Sequence, residues 1–506
     1  DGNFDYDVNS AIRFLHNPPP DADTPRLLEG NHPAQARLAF EELVAHQLSL
    51  RIVRAEIQKL KAIRFEQPGK PYSELIASLG FQLTGAQTRV AAEVAEDLMQ
   101  PQPSLRLIQG DVGSGKTIIA ALAAAHACEN KLQTAVMAPT ELLAEQHFIN
   151  FSNWLNYIGI NTAWLSSRVT GKKRQAELER IRKGDAAVVI GTHALFQSDV
   201  DFKNLGLIII DEQHRFGVHQ RLALREKGVN GNTSPHQLVM TATPIPRTLS
   251  MSVYADMDVS VIDELPPGRK PVITTVMSDE RRDSVITRVA EACEAGRQAY
   301  WVCTLIEESE ALQCQAAEVT AQELGKLLPD VRIGLVHGRM NSSSKTSVMN
   351  EFKSGSIDLL IATTVIEVGV DVPNASLMVM ENSERLGLAQ LHQLRGRVGR
   401  GSQESHCVLM YKKPLSSQGR ERLEVMRQSN DGFFIAERDL EIRGPGELLG
   451  ARQSGALQFR IANLLRDQDM LPQVRRTSLA MMQTDRAYGD VLVRRWIKDP
   501  ERTGQV

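Results

Sequence analysis

The sequence predicts an α/β protein with two successive lobes, each a parallel sheet flanked by helices, and helical segments at both ends. Two observations carry this fold class. Short apolar strands alternate with helical stretches in two separate series. A turn-prone break, Leu265-Pro266-Pro267-Gly268-Arg269, divides the series. The length of 506 residues agrees, since it exceeds what one core accommodates.

The elements follow in order. After the turn-rich Asn17-Pro18-Pro19-Pro20, Pro33 is placed to open a helix. Leu38, Leu43, Leu48, Ile52, Ile57 and Leu60 then recur at helical spacing. Nothing catalytic sits there, so this stretch reads as a packing or linker helix. The first strand series is Leu105–Gln109, Thr134–Ala138, Ala187–Ile190, Leu207–Ile210 and Leu238–Thr241. The second is Ala299–Cys303, Ile333–His337, Leu359–Thr363, Leu377–Met380 and Cys407–Tyr411. From Leu415 the pattern is helical again, interrupted by a glycine-rich loop at Gly444–Gly455. The expected organisation is a helical segment over 1–72, lobes over 73–266 and 267–412, and a mostly helical region over 413–506. No internal repeat or low-complexity tract interrupts it.

Composition narrows the class less. Hydrophobic content of 42% with 24% charged residues is that of a globular chain and argues against long disorder. No run approaches the ~18 apolar residues of a membrane span, so no membrane partner is expected. The opening Asp1-Gly2-Asn3-Phe4 has neither initiator Met nor signal pattern and reads as a trimmed or partial chain. Five scattered cysteines without a C-x-x-C pair suit a reducing cytoplasm and support neither a zinc site nor a disulfide framework. The net charge of −3 means that any grip on nucleic acid is local.

Gly110-Asp111-Val112-Gly113-Ser114-Gly115-Lys116-Thr117 fits G-x-x-x-x-G-K-[ST], between an apolar strand and the Ala-rich stretch Thr117–Ala127. In that context Gly110, Gly113, Ser114 and Gly115 let backbone N–H groups turn onto phosphate. Lys116 is expected to reach the β/γ-phosphates of ATP, and Thr117 to place its hydroxyl on Mg²⁺. A chance match in a glycine-rich turn is the competing reading, and the flanking strand and helix argue against it. Asp211 and Glu212 end an apolar strand; Asp211 is expected to hold Mg²⁺ and Glu212 to orient and deprotonate the attacking water. Gln87, within Phe81–Gln87, offers an amide that can read adenine with one donor and one acceptor.

With these motifs together, the chain resembles superfamily 2 helicases, and within them the RecG family of bacterial DNA helicases. The resemblance implies two tandem RecA-like lobes. Ala138–Gln146, with Pro139 and Thr140, and Gly191-Thr192-His193-Ala194 resemble the family's DNA-contacting segments. Thr241-Ala242-Thr243-Pro244 resembles the segment that couples hydrolysis to lobe movement, with Thr241 and Thr243 in that role. In the second lobe, Val336–Met340, with His337 and Arg339, and Thr363–Asp371 are similar to DNA- and nucleotide-contacting motifs; Thr363 corresponds to DNA contact and Asp371 to ATP. Gln393-Leu394-Arg395-Gly396-Arg397-Val398-Gly399-Arg400 fits Q-x-x-G-R-x-G-R. Arg397 and Arg400 can share one side of a helical turn and act as arginine fingers, making hydrolysis depend on lobe closure. Gln393 and His214 are placed with the coupling residues.

Asp431–Gly455 looks like the translocation motif shared by RecG and the transcription-repair coupling factor, with Arg443 and Gln453 as coupling positions. Phe81–Gln87, the ending Phe459–Asp467 and the chain's stopping soon afterwards favour RecG. The resemblance implies an ATP-dependent translocase and helicase on double-stranded DNA. It would remodel stalled forks and Holliday junctions as a cytoplasmic monomer, nucleoid-associated, with single-strand-binding protein nearby. The family's N-terminal wedge, an OB-fold that binds branched DNA, has no five-strand counterpart before Pro33. Poor discrimination of branched from linear DNA is therefore expected. The readings this leaves beside it are a coupling-factor-type translocase, an RNA helicase and a catalytically dead helicase-fold scaffold.

Overall fold

Helices α1 (Val8–His16), α2 (Thr24–Glu29) and α3 (Pro33–Gln58) lead into the first lobe. The computed structural model describes residues 4–212, 227–229, 233–244, 257–266, 268–304, 310–364, 372–401, 403–443, 459–464, 466–484 and 486–497, and not the side chains of 57, 310–313, 342 and 443. The first lobe continues through α4 (Lys70–Ser78), α5 (Gly85–Leu98), β1 (Leu105–Gly110), α6 (Lys116–Glu129), β2 (Gln133–Met137), α7 (Glu141–Tyr157), β3 (Thr162–Leu165) and α8 (Gly171–Lys183). It ends with β4 (Val188–Gly191), β5 (Leu205–Asp211), β6 (His236–Thr241) and β7 (Asp258–Ile262). These strands form one sheet in the order β3-β4-β2-β5-β6-β1-β7, every pair parallel.

A parallel sheet has both faces covered, so its strands are apolar throughout. Period-two alternation then deals neighbouring residues to opposite faces. Leu207 and Ile209 pack with α5 and α6, whereas Ile208 and Ile210 pack with Ile181 of α8 and Leu195.

The second lobe runs β8 (Ile273–Ser278), α9 (Arg282–Glu294), β9 (Gln298–Val302), α10 (Glu310–Leu327), β10 (Ile333–Val336), α11 (Ser342–Lys353), β11 (Leu359–Ala362), β12 (Ala375–Met380), α12 (Leu388–Arg395) and β13 (His406–Tyr411). Its parallel sheet has the order β10-β11-β9-β12-β13-β8. Tyr300 and Trp301, adjacent on β9 and fully buried, anchor its two opposite faces. Burying rings of that size stabilises the lobe by roughly 2–3 kcal/mol each. The fold is thus the predicted pair of parallel-sheet lobes. Three strands were not anticipated. β3, β7 and β8 are sheet edges, and β8 has no fully buried residue.

Helices α13 (Ser417–Gln428), α14 (Gly432–Arg443), α15 (Leu471–Thr484) and α16 (Arg486–Trp496) complete the described chain. α15 and α16 pack along α3, so the first and last segments share one core of Phe40, Leu43, Leu48, Leu471, Val474 and Leu492. Two buried acids of α3 join the segments. Glu41 accepts from Arg495 (2.7 Å) and from the Trp496 indole (3.1 Å). Glu42 accepts the backbone N–H groups of Arg460, Ile461 and Ala462 at 2.5–2.9 Å.

Two buried histidines make the protein acid-sensitive. Burial pushes both His46 of α3 and His236 of β6 down to about 4. The unfolded chain, with His near 6.5, then binds more protons than the folded one. Stability is full above about pH 6.5 and is lost as pH falls toward 4, at roughly 3 kcal/mol per histidine in the limit. Melting temperature is expected to drop between pH 7.5 and pH 5, and His46→Leu to reduce that drop.

Candidate active site between the two lobes

β1 ends at Gly110, and α6 starts at Lys116. The intervening loop turns through Gly113 (φ 77°) and Gly115 (φ 89°), left-handed positions that a side chain disfavours. A Cβ on Gly115 would also lie 2.3 Å from Gln87 Nε2. The loop therefore needs glycine on two counts, and it leaves the first N–H groups of α6 facing the end of the sheet.

Lys116 folds back over this loop. Its Nζ donates to Gly110 O (2.6 Å) and Asp111 O (2.9 Å), and the side chain is buried. Burial holds its pKa below the usual range against the raising effect of Glu212, Asp211 and Asp111, and Arg400 lowers it further. Two features fit a phosphate. A buried cation rests on neutral carbonyls, and the buried Ser114 Oγ has no hydrogen-bond partner among the described residues.

Asp211 closes β5 and Glu212 follows at φ 53°, a left-handed position rare for a residue with a side chain. The Glu212 N–H holds that turn by donating to Met240 O and Asp211 Oδ1, both at 3.0 Å. Burial raises the Asp211 pKa, but the hydrogen bond and charge of His147, with Lys116 and the Glu212 N–H, leave it below the usual carboxylate range. Thr117, second in α6, and an ionised Asp211 form a hard oxygen donor set that fits Mg²⁺.

Gln87, expected to read adenine, braces the phosphate loop. Its Oε1 accepts from Thr84 N (2.9 Å) in the capping box of α5, and its Nε2 donates to Ser114 O (2.8 Å). The amide thus ties α5 to the phosphate loop and keeps one N–H and one oxygen lone pair beyond these bonds.

The second lobe meets this loop. Gln393 lies buried in α12, Arg397 and Arg400 follow it half-buried, and the charge of Arg400 reaches Lys116. His392 Nε2 bonds Asp111 Oδ1 at 2.6 Å across the cleft, and its Nδ1 meets Arg395. Arg395 in turn donates to Met426 O and Ser429 O, next to α14. At the start of α14, a Cβ on Gly432 would lie 2.7 Å from both His392 Nε2 and Pro244 Cγ. Replacing His392 with alanine leaves the Asp111 carboxylate only the Val112 N–H (2.7 Å) of its two hydrogen bonds among the described residues, so kcat/KM for ATP is expected to fall about tenfold, the scale of one hydrogen bond to a charged group.

The remaining predicted residues follow the carboxyl ends of strands, the edge where open parallel sheets bind ligands. Pro139 and Thr140 follow β2, Thr192 and His193 follow β4, and Thr241 ends β6, hydrogen-bonded to Thr243 (2.8 Å). His337 and Arg339 follow β10 and Thr363 follows β11; Arg339 and His193 are exposed, whereas Thr192 and Thr363 are buried. Asp371, His214 and Gln453 lie outside the described residues, as does the Arg443 side chain at the end of α14. The sequence reading missed Asp111, His147 and His392. Asp111 occupies a variable position of the loop motif, and neither histidine belongs to a recognised spacing.

Comparison with known proteins agrees with this architecture. The DEAD/DEAH box helicase model matches residues 84–252 and the helicase conserved C-terminal domain matches 281–402. The model for ATP-dependent DNA helicase RecG, domain 3, C-terminal, matches 429–492. The ATP-dependent DNA helicase RecG of Pasteurella multocida (strain Pm70) is 57% identical over 497 residues, covering 98% of this chain and 72% of that protein. That of Escherichia coli (strain K12) is 57% identical over 493 residues, covering 97% and 71%. A solved RecG structure bound to a three-way DNA junction has a TM-score of 0.72 at 43% identity, covering 87% of this chain and 57% of that one. Mss116p bound to single-stranded RNA shares the fold alone, with a TM-score of 0.55 at 16% identity. With two helicase lobes, the RecG-specific third segment and identity above one half along nearly its whole length, this chain belongs to the RecG family of ATP-dependent DNA helicases.

Proposed function

We propose that the chain hydrolyses ATP in the cleft between its lobes and uses lobe movement to travel along duplex DNA, remodelling forks and Holliday junctions in the bacterial cytoplasm. The observation that carries this reading is the convergence at Asp111: the phosphate loop, α12 and the start of α14 meet around one carboxylate. A change at the nucleotide therefore has a short mechanical path to the C-terminal helices.

In this reading Lys116 and the loop N–H groups bind the phosphates, and Glu212 takes the proton of the attacking water. Arg397 and Arg400 stabilise the charge that develops on the γ-phosphate. Thr117 and Asp211 would hold Mg²⁺, which when bound neutralises phosphate charge. Thr140, His193 and Arg339 supply DNA contacts from both sheets, mostly to phosphate and without base specificity, whereas the buried Thr192, His337 and Thr363 would reach DNA only after their strand-end segments rearrange. The relatives' names and the junction-bound RecG structure support DNA, and branched DNA in particular, as the substrate.

Strand displacement from a three-way junction tests this, beside a linear duplex and a duplex RNA of equal length. ATP-dependent displacement of the DNA junction is expected. Displacement of the RNA with none of the DNA substrates would overturn the substrate assignment.

A further inference from the structure

One buried contact of the nucleotide site has no role in the scheme above. His147 Nε2 bonds Asp211 Oδ2 at 2.7 Å, and the imidazole is almost wholly buried, edge-on to Phe151. Asp211 is thereby held from two sides, since its other oxygen takes the Glu212 N–H. The second ring nitrogen, Nδ1, is buried with no hydrogen-bond partner among the described residues. An unpartnered buried nitrogen is costly, so a histidine present only to fill space would be poorly chosen. Among the described residues, its polar function is directed at the carboxylate alone.

The helix that carries His147 makes the contact consequential. α7 is capped by Thr140, whose Oγ1 accepts from Leu143 N (3.4 Å), and Pro139–Thr140 is a segment assigned to DNA contact. Leu142, in the first turn, packs against the core of the second lobe. Glu141 pairs with Arg168 (2.5 Å), and Arg168 donates to Thr346 of α11 (3.1 Å). His147 lies six residues after Glu141, under two turns and roughly 9 Å along the axis. One stiff helix thus has its first turn among the DNA-facing segment and the second lobe, and its second turn on Asp211.

We propose that His147 is a positioning residue that carries DNA engagement to the nucleotide site. Displacement of α7 when its N-terminus engages DNA and the second lobe turns the Asp211 carboxylate through the His147 bond. DNA stimulation of hydrolysis passes through that contact. This rests on the assignment of Asp211 to Mg²⁺ and of Thr140 to DNA. Groups that orient a metal-binding carboxylate typically change metal affinity 10–100-fold when removed.

The test uses the full chain with His147→Leu, His147→Asn, whose amide stops short of Asp211, and His147→Gln, whose amide nitrogen falls near the lost Nε2. Three quantities are read: Mg²⁺ half-saturation for binding a fluorescent ATP analogue, duplex-DNA affinity, and the ratio of kcat with and without DNA. In the Leu and Asn variants the Mg²⁺ half-saturation is expected to rise about tenfold. The DNA stimulation ratio is expected to collapse toward one with DNA affinity within twofold, and Gln to restore part of both. If the Leu variant does not fold, Asn decides. A stimulation ratio and Mg²⁺ dependence within twofold of the unaltered chain in Asn would overturn the proposal. A single loss shared by all three, Gln included, would assign His147 a packing role and overturn it too. Absence of DNA stimulation in the unaltered chain would instead refute the underlying assignment.

Discussion

Lys116→Ala is expected to lower ATP hydrolysis about 10³-fold, the upper range for removing one preorganised donor from developing charge. The amine is already desolvated and rests on two carbonyls of its own loop, so little reorganisation separates it from the phosphates. Removing it also takes a lysine from a cluster of Asp111, Asp211 and Glu212 whose charges all act on it. Affinity for a fluorescent ATP analogue should therefore fall together with kcat. Duplex binding should stay within a few-fold, because the assigned DNA contacts lie on other strand ends. Steady-state hydrolysis and fluorescence anisotropy on labelled DNA separate the two effects.

Arg400→Ala is expected to reduce DNA-stimulated hydrolysis by at least 10³, within the 10³–10⁵ range for an arginine finger. Its Nε donates to Gly396 O (3.2 Å), which braces the side chain, while its charge reaches Lys116 from the opposite lobe. KM for ATP should change only a few-fold, because the contact belongs to the closed transition state. Arg400→Lys should recover little, since an ammonium cannot reproduce the planar fork. A large rise in KM with kcat unchanged would make Arg400 a binding residue.

Much of this was legible in the sequence, for reasons that differ by residue. The phosphate loop was readable because its parts are contiguous: an apolar strand, glycines at forced angles, then a helix. The central strands were readable because both faces of a parallel sheet are buried, which leaves an uninterrupted apolar run. The edge strands β3, β7 and β8 were not, because Thr162–Leu165, Asp258–Ile262 and Ile273–Ser278 mix polar residues into short runs. Gln87 was legible as a candidate, but its bond to Ser114 was not, since that residue lies 27 residues away. The same holds for His147 with Asp211, 64 residues apart, and for His392 with Asp111, 281 apart. Such pairs exist only after the parallel sheets bring strand ends together and the lobes face each other. Nor did the helical spacing after Pro33 disclose that α3 buries its apolar face against the C-terminal helices.

The central claim is that hydrolysis in this cleft is driven by duplex DNA. The most direct measurement is the ATPase rate of the unaltered chain with Mg²⁺, alone and with saturating linear duplex or Holliday-junction DNA. The account predicts strong stimulation by DNA that disappears in Lys116→Ala. A rate that no DNA raises above the DNA-free level would contradict it and leave the helicase fold as a binding scaffold.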